Sequence, residues 1–513
     1  MKNSTGKIFH RSRIAVQIFF VLLFFFLFFY TDSSATAFFY FDPLLTILNI
    51  IATGTIITIF LLSLATLFLT IIFGRSFCGW ICPLGSINHF FSWMFSKLKK
   101  KSEPLDKRYL KVKYLILTGI IVSAIWGTHL GGWLDPFSLL TRSTAALSSP
   151  ANYLLNQSVK AGAEGEGVIS KGLKPVYDFT KKNILLDNPH ASSQSIIIPG
   201  LFILLIVMNY FRRRFFCNTL CPLGALLGLF SRIGFFRIQA TENCSSCAAC
   251  SGNCTYNGNP DGGYMKSECL VCFNCTGDCP SEAIKLKLEL PVKENRIKID
   301  LGKRKLIGAT VTGLIIAALP KTSIEAKSKA KHPFTRPPGS VGEKEFLEKC
   351  ARCGNCVQSC PTGFIQPAFN ETGIEGLWTP VLNAQAGSCT FNCNKCTLVC
   401  STKAIRELTL KQKQIFKVGT AVVDKNRCYT YASGFNCSVC FDKCPTPEKA
   451  IRFHETEVWG FQGRNSVVKQ IYVVPDLCIG CGICENVCPR KDAPGIINTS
   501  EDEVRESVTG DVY

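Results

Sequence analysis

The spacing of 28 cysteines constrains this 513-residue chain more than any other feature. The cysteines fall without remainder into six groups of four and two CxxxCP pairs. Four groups read CxxCxxCxxxC: Cys244–Cys254, Cys269–Cys279, Cys350–Cys360 and Cys478–Cys488. Two more, Cys389–Cys400 and Cys428–Cys444, keep the CxxCxxxC ending but open with gaps of three and eight residues. Disulfide frameworks have no need of three cysteines three apart, and structural zinc favours two CxxC pairs separated by a longer loop. A run of three such cysteines supplies three corners of an iron-sulfur cluster, with the fourth ligand coming from elsewhere. No CxxCH occurs, so covalently attached haem is not expected.

The stretch Cys244–Cys279 places two regular groups back to back. At this spacing the fourth cysteine of each run crosses to the other cluster. One 4Fe-4S set is therefore Cys244, Cys247, Cys250 and Cys279, and the other is Cys269, Cys272, Cys275 and Cys254.

Apolar residues make up 47% of the chain and are concentrated before this stretch, where four runs read as membrane spans. They are Ile14–Tyr30, Leu44–Phe73, about Val112–Trp126 and about Ser195–Tyr210. The first lacks a small-residue cleavage site and reads as an uncleaved anchor. The second exceeds the ~20 residues a span needs, which implies tilt or an interfacial extension. A fifth run, Leu306–Pro320, suits a signal-like core as well as a span. The net charge of +20 excludes little by itself, but the basic residues flank apolar runs and no recognition element accompanies them, so no nucleic-acid partner is expected. Basic flanks at the N-terminus, after the second span and after the fourth put both CxxxCP motifs and the Cys244–Cys279 stretch on the cytoplasmic side.

An internal repeat runs through the apolar half. Phe41-Asp42-Pro43 precedes a span and then Cys78-Gly-Trp-Ile-Cys82-Pro; Leu134-Asp135-Pro136 precedes another and then Cys217-Asn-Thr-Leu-Cys221-Pro. Two parallel repeats would bring the pairs face to face. Cys78, Cys82, Cys217 and Cys221 then make a possible additional metal or cluster site, a redox-active thiol set, or inert thiols in tight turns at Pro83 and Pro222. Asp42 and Asp135, at the expected outer face, are candidate acceptors for protons, although capping a helix that begins at proline is the commoner use. His89 and His129 could serve in proton transfer or bind a quinone head-group, although a solvated interfacial histidine is the commoner case, and Trp80, Trp126 and Trp133 fit an aromatic belt before they fit stacking on such a ring.

The architecture expected is multi-domain: an α-helical membrane domain with two parallel repeats, joined to α+β ferredoxin-like 4Fe-4S domains. Its parts are a membrane domain at 1–240, a two-cluster domain at 241–290, a signal-like anchor or fifth span at 300–322, a basic linker at 323–342, a four-cluster domain at 343–500 and a polar tail at 501–513.

With these motifs in place, residues 1–290 resemble the NapH-type membrane quinol-dehydrogenase ferredoxins, through FCGWICPLG, FCNTLCPLG and the two-cluster run. The methylamine-utilisation ferredoxins and the membrane half of the nitrous-oxide reductase regulator carry the same motifs. Residues 300–498 resemble the exported four-cluster NapG/MauM type, including its third group CYTYASGFNCSVCFDKCP. Such partners start with a twin-arginine signal; here GKRKLIGATVTGLIIAALP keeps Arg304 of the pair, with Lys303 before it. The resemblance implies that the first cysteine group pairs with the last and the second with the third. The sets would be Cys350, Cys353, Cys356 and Cys488; Cys478, Cys481, Cys484 and Cys360; Cys389, Cys393, Cys396 and Cys444; and Cys428, Cys437, Cys440 and Cys400.

It further implies six 4Fe-4S clusters in a multi-pass protein of the bacterial cytoplasmic membrane, with its C-terminal domain extracytoplasmic. The expected partners are membrane lipid, the quinol pool as substrate, and an extracytoplasmic reductase or carrier as electron acceptor. The alternative is a maturation or redox-regulatory factor that supplies electrons to a metalloenzyme centre.

Overall fold

The computed structural model describes residues 4–30, 36–55, 61–98, 107–148, 194–252, 254, 256, 258–260, 264–288, 307–308, 311, 334–369, 371–373, 375–459 and 465–505. The chain divides into two compact units, one made of Met1–Ser143 with Pro199–Ala318, the other of Thr144–Ile198 with Leu319–Tyr513. Most of the candidate fifth span and the linker after it lie outside the described residues.

The first unit is helical. Its N-terminal helix, Ser4–Tyr30, contains the one described stretch long and apolar enough to cross a membrane, Ile8–Phe29. The other apolar helices are shorter: Pro43–Thr53, Leu62–Phe73, Val112–Ile125, Ile196–Tyr210 and Pro222–Ser231. The expected single span Leu44–Phe73 is two of these. Asp42 caps the first, accepting from the backbone N–H of Leu44 at 2.8 Å, and Pro43 occupies its first turn. Gly54, at φ 67°, stops it in the left-handed conformation, its N–H donating to the Ile50 carbonyl at 2.9 Å. The returning helix is tied to the start of the first by Thr66 Oγ1 donating to the Phe41 carbonyl, 2.9 Å. An apolar run cannot reveal such a stop when both arms are equally hydrophobic.

Two of these helices bury polar side chains while leaving large apolar ones exposed. On Leu62–Phe73 the buried side chains are Ser63, Thr66 and Thr70, while Leu62, Leu64, Phe68 and Leu69 are exposed. The N-terminal helix buries Gln17 and leaves Ile18, Phe19, Leu22 and Phe26 outside. Two antiparallel strands, β1 (Phe236–Ala240) and β2 (Ile284–Leu288), close off the cysteine-rich stretch between them.

The second unit is small helices and two-stranded sheets around two apolar cores. One core gathers Val341, Phe346, Ile365, Val399 and Ile405 about Cys350 and Cys356. The other gathers Ala421, Ile451, Ile471 and Ile496 about Cys428, Cys440 and Cys484. β3 (Ile365–Pro367) pairs with β4 (Pro380–Leu382) in the first module. In the second, β5 (Thr420–Val423) pairs with β8 (Ile496–Thr499). β6 (Ile451–Trp459) and β7 (Asn465–Val473) form a hairpin in register from Ile451↔Val473 to Trp459↔Asn465.

Candidate iron-sulfur sites

One backbone frame recurs at all four regular groups. The residues on either side of the central cysteine take left-handed φ: Ser246 and Ala248 around Cys247, Val271 and Phe273 around Cys272, Arg352 and Gly354 around Cys353, Gly480 and Gly482 around Cys481. Left-handed residues alternating with cysteines curl the chain into an arc, which lets three thiols address one centre. At Gly482 the fit also demands glycine, because a Cβ would stand 2.9 Å from the Phe364 ring.

In the second unit the thiols assemble in a different partnership from the one the resemblance implies. Cys350, Cys353 and Cys356 lie within electrostatic reach of Cys400. Cys389, Cys393 and Cys396 gather with Cys360. Cys478, Cys481 and Cys484 gather with Cys444. Cys440 stands with Cys437 and Cys428, and Gly495, whose N–H donates to Cys488 Sγ at 3.4 Å, packs directly on Cys428. The fourth cysteine therefore crosses to the neighbouring group, first with second and third with fourth, instead of spanning first to last. The cause is the fold: each pair of groups encloses its own apolar core, so the exchange is completed inside a module. The modules meet where the Cys389 N–H donates to the Cys481 carbonyl at 2.9 Å. The four sets form a row, with Cys356 beside Cys396, Cys389 beside Cys481, and Cys484 beside Cys440.

The donor chemistry suits clusters. Burial pushes the Cys353, Cys440 and Cys481 thiols up to about 12, so a bound metal must displace their protons. Backbone N–H groups donate to Cys400 Sγ from Ile405 at 3.3 Å and to Cys478 Sγ from Ala421 at 3.4 Å, hydrogen bonds of the kind that tune cluster potentials.

In the first unit Cys254, Cys269, Cys272 and Cys275 come together as the spacing implies. Cys250 reaches Cys275, and Cys250 and Cys279 share apolar packing with Ile238, Val271 and Ile284. Cys244 and Cys247 sit on the loop leading into that cluster, Cys247 exposed.

Both CxxxCP pairs are buried and converge, with Cys82 and Cys221 each close to Cys78 and Cys217. The turn reading also holds: Pro83 and Pro222 begin helices, and Cys82 and Cys221 accept from Gly85 N at 3.4 Å and Gly224 N at 3.3 Å. Around these thiols stand fully buried arginines. Arg75 lies beside Cys78, and its Nη2 donates to the Cys217 carbonyl at 3.4 Å. Arg214 lies beside Cys217 with Nε, Nη1 and Nη2 lacking acceptors. Arg13 reaches Cys272. Buried cations with orphaned donors call for an anion, and four thiolates around a cluster are net anionic. These arginines, read from sequence as topogenic flanks, thus belong to the interior. Among the described residues no three Cys, His, Asp or Glu side chains close to the spacing of a single ion. Cys217→Ala is expected to lower iron by about four atoms per chain, read by metal analysis of the purified protein; unchanged iron would leave these thiols as turn residues.

Tyr256 links the tetrad to the two-cluster stretch. Two residues from Cys254, it lies against Cys217, with Arg75 and Arg214 over its ring at 5.5 and 4.9 Å. Trp80 Nε1 donates to the Val271 carbonyl at 3.1 Å, an anchor and not a belt position. Sequence reasoning missed Glu268. Fully buried beside Cys269, it accepts from Arg75 Nη1 at 3.4 Å, from Lys113 Nζ and from Tyr114 Oη at 2.9 Å. A signal existed: Lys113 opens an apolar run, where a charge demands a partner.

Asp42 and Asp135 are brought into contact, fully buried, each capping its helix; Asp135 accepts from Ser138 N at 2.8 Å. Asp135 lies within electrostatic reach of Cys82. His129 is fully buried and His89 lines a cavity, so neither is simply solvated.

These sites define a polyferredoxin, a chain organised around several 4Fe-4S centres. Families described as 4Fe-4S binding domains match residues 55–102 with 195–239, which contain both CxxxCP pairs, and residues 346–366; a 4Fe-4S dicluster domain matches 435–491, within the second module. The methylamine utilization ferredoxin-type protein MauM of Methylorubrum extorquens is 36% identical over 190 residues, covering 36% of this chain and 80% of that protein. The ferredoxin-type protein NapG of Escherichia coli is 31% identical over 182 residues, 35% of this chain and 76% of that protein. This chain belongs to the MauM/NapG family of ferredoxin-type electron-transfer proteins. No solved structure matches it.

Proposed function

We propose that this iron-sulfur protein is membrane-bound, oxidises quinol and passes the electrons through 4Fe-4S clusters to an extracytoplasmic reductase or carrier. The supporting observation is the outer surface of the first unit, which exposes large apolar side chains such as Leu64, Phe68 and Ile203 while cysteines, arginines and carboxyls are buried. An apolar surface of this kind suits a lipid surrounding. Four crossings in two parallel repeats, in a NapH-like half fused to a NapG-like half, accommodate it. Quinol releases two electrons and two protons, and one-electron centres in a row separate the pair and lead it away. The six sets in this reading are Cys244 with Cys247, Cys250 and Cys279; Cys254 with Cys269, Cys272 and Cys275; Cys350, Cys353 and Cys356 with Cys400; Cys389, Cys393 and Cys396 with Cys360; Cys478, Cys481 and Cys484 with Cys444; and Cys428, Cys437 and Cys440 with Cys488.

In membrane vesicles, reducing the quinone pool is expected to elicit the EPR signals of reduced clusters. Extracting quinone should abolish the response and adding it back should restore it. A response indifferent to quinone extraction would refute the reading. A reporter fused after Tyr513 should be active outside the cytoplasm.

A further inference from the structure

The first unit holds a cavity of about 810 Å³ between the N-terminal helix, the helix Pro83–Leu98 and the short helix Asn274–Asp278. Its long wall is apolar, with Ile14, Ile18 and Phe90 exposed toward the outside of the bundle. Its polar lining includes His10, His89, Arg213, Asn274 and Asp278, with His10 and Asn274 paired at one end. The volume lies within the range of small-molecule sites, and a slot that is apolar along its length and polar at one end fits an amphiphile with a ring and an isoprenoid tail. The helix that closes the polar end carries Cys275 and runs into Cys279, one ligand from each set of the two-cluster stretch.

We infer that this cavity is the quinol site, with the ring held by His10, His89 and Asn274 and the tail lying along Ile14 and Ile18. The inference rests on the quinol reading above and gives that substrate a place. His10 Nδ1 pairs with Asn274 Oδ1 at 3.1 Å, so Nδ1 carries the hydrogen and Nε2 is left as an acceptor for one quinol hydroxyl proton. Phe9 stacks on Phe273 at 4.8 Å, fixing His10 against the cluster-bearing loop. His89 is held neutral: burial, with Arg214 and Arg13 nearby, lowers it to about 2. It therefore binds the second hydroxyl by hydrogen bond without taking its proton. Arg213 Nε, buried without an acceptor, is a donor for the carbonyl oxygen of the quinone product. Oxidising quinol there would break both O–H bonds and leave quinone; clusters held by the Cys244–Cys279 stretch would supply two one-electron acceptors, and the two protons would leave in turn by way of His10 to water.

The test uses the full-length, cluster-loaded protein in lipid nanodiscs and an azido-quinone photoprobe, with labelled peptides found by mass spectrometry. Label is expected within residues 10–21 or 86–96. Ile18→Trp, which fills the tail groove, and His89→Leu, which removes a hydroxyl partner, are each expected to cut labelling and raise KM for a soluble quinol about tenfold, the loss of one hydrogen bond or an equal packing contribution. Both should keep full iron and normal reduction by dithionite. His10→Gln is expected to lower kcat more than it raises KM. Quinol reduction of the wild type with label elsewhere, or with KM unchanged in both pocket variants, would overturn the site and leave the quinol reading standing. Clusters that dithionite reduces and no quinol reduces would overturn the reading and the site together.

Discussion

Glu268→Gln is expected to destabilise the first unit by about 3–5 kcal/mol, the usual cost of removing one partner from a buried ion pair. Glu268 answers two cations, Arg75 and Lys113, and accepts from Tyr114, all without contact to water. Glutamine preserves the shape but leaves both cations uncompensated. Because Arg75 precedes the first CxxxCP motif and Glu268 precedes Cys269, the loss should loosen the tetrad and the two-cluster stretch together. Thermal unfolding of the purified protein, followed by bleaching of cluster absorbance, should show a lower midpoint. A paired Glu268→Leu, Lys113→Leu variant should recover part of it, since removing both charges avoids an orphan. An unchanged midpoint in Glu268→Gln would show that this network does not hold the unit together.

The second large effect concerns the partnership of the cysteine groups. Cys400→Ser should remove one cluster, about four irons, from the chain. Because Cys400 stands with Cys350, Cys353 and Cys356, adding Cys353→Ser should remove no further iron. Adding Cys437→Ser should remove about four more. First-with-last pairing requires the reverse: additive loss with Cys353→Ser and no further loss with Cys437→Ser. Two mutations in one site fail to add, whereas independent sites do, so iron content alone separates the arrangements.

What the sequence disclosed and what it hid have physical reasons. Cysteine spacing is local, so the groups and the approach of Cys254 to Cys269, Cys272 and Cys275 were legible, and the internal repeat made the convergence of the CxxxCP pairs legible. The partner of a fourth cysteine depends on which groups share a core, and the cores around Val399 and Ile471 are tertiary facts. Hydropathy found the apolar runs but not the Gly54 stop. Basic residues were read by their distance from apolar runs; Arg75 and Arg214 have the same sequence context whether they lie in solvent or among thiols. His10 and Asn274 are 264 residues apart, and nothing local in either hints at the cavity they share.

Entry of quinol electrons into the proposed clusters is measured by mixing the purified, oxidised protein anaerobically with a reduced menaquinone analogue and recording EPR spectra against a dithionite-reduced control. Reduced 4Fe-4S signals are expected with quinol, lost when a quinone-site inhibitor is added. Full reduction by dithionite with no signal from quinol would contradict that entry.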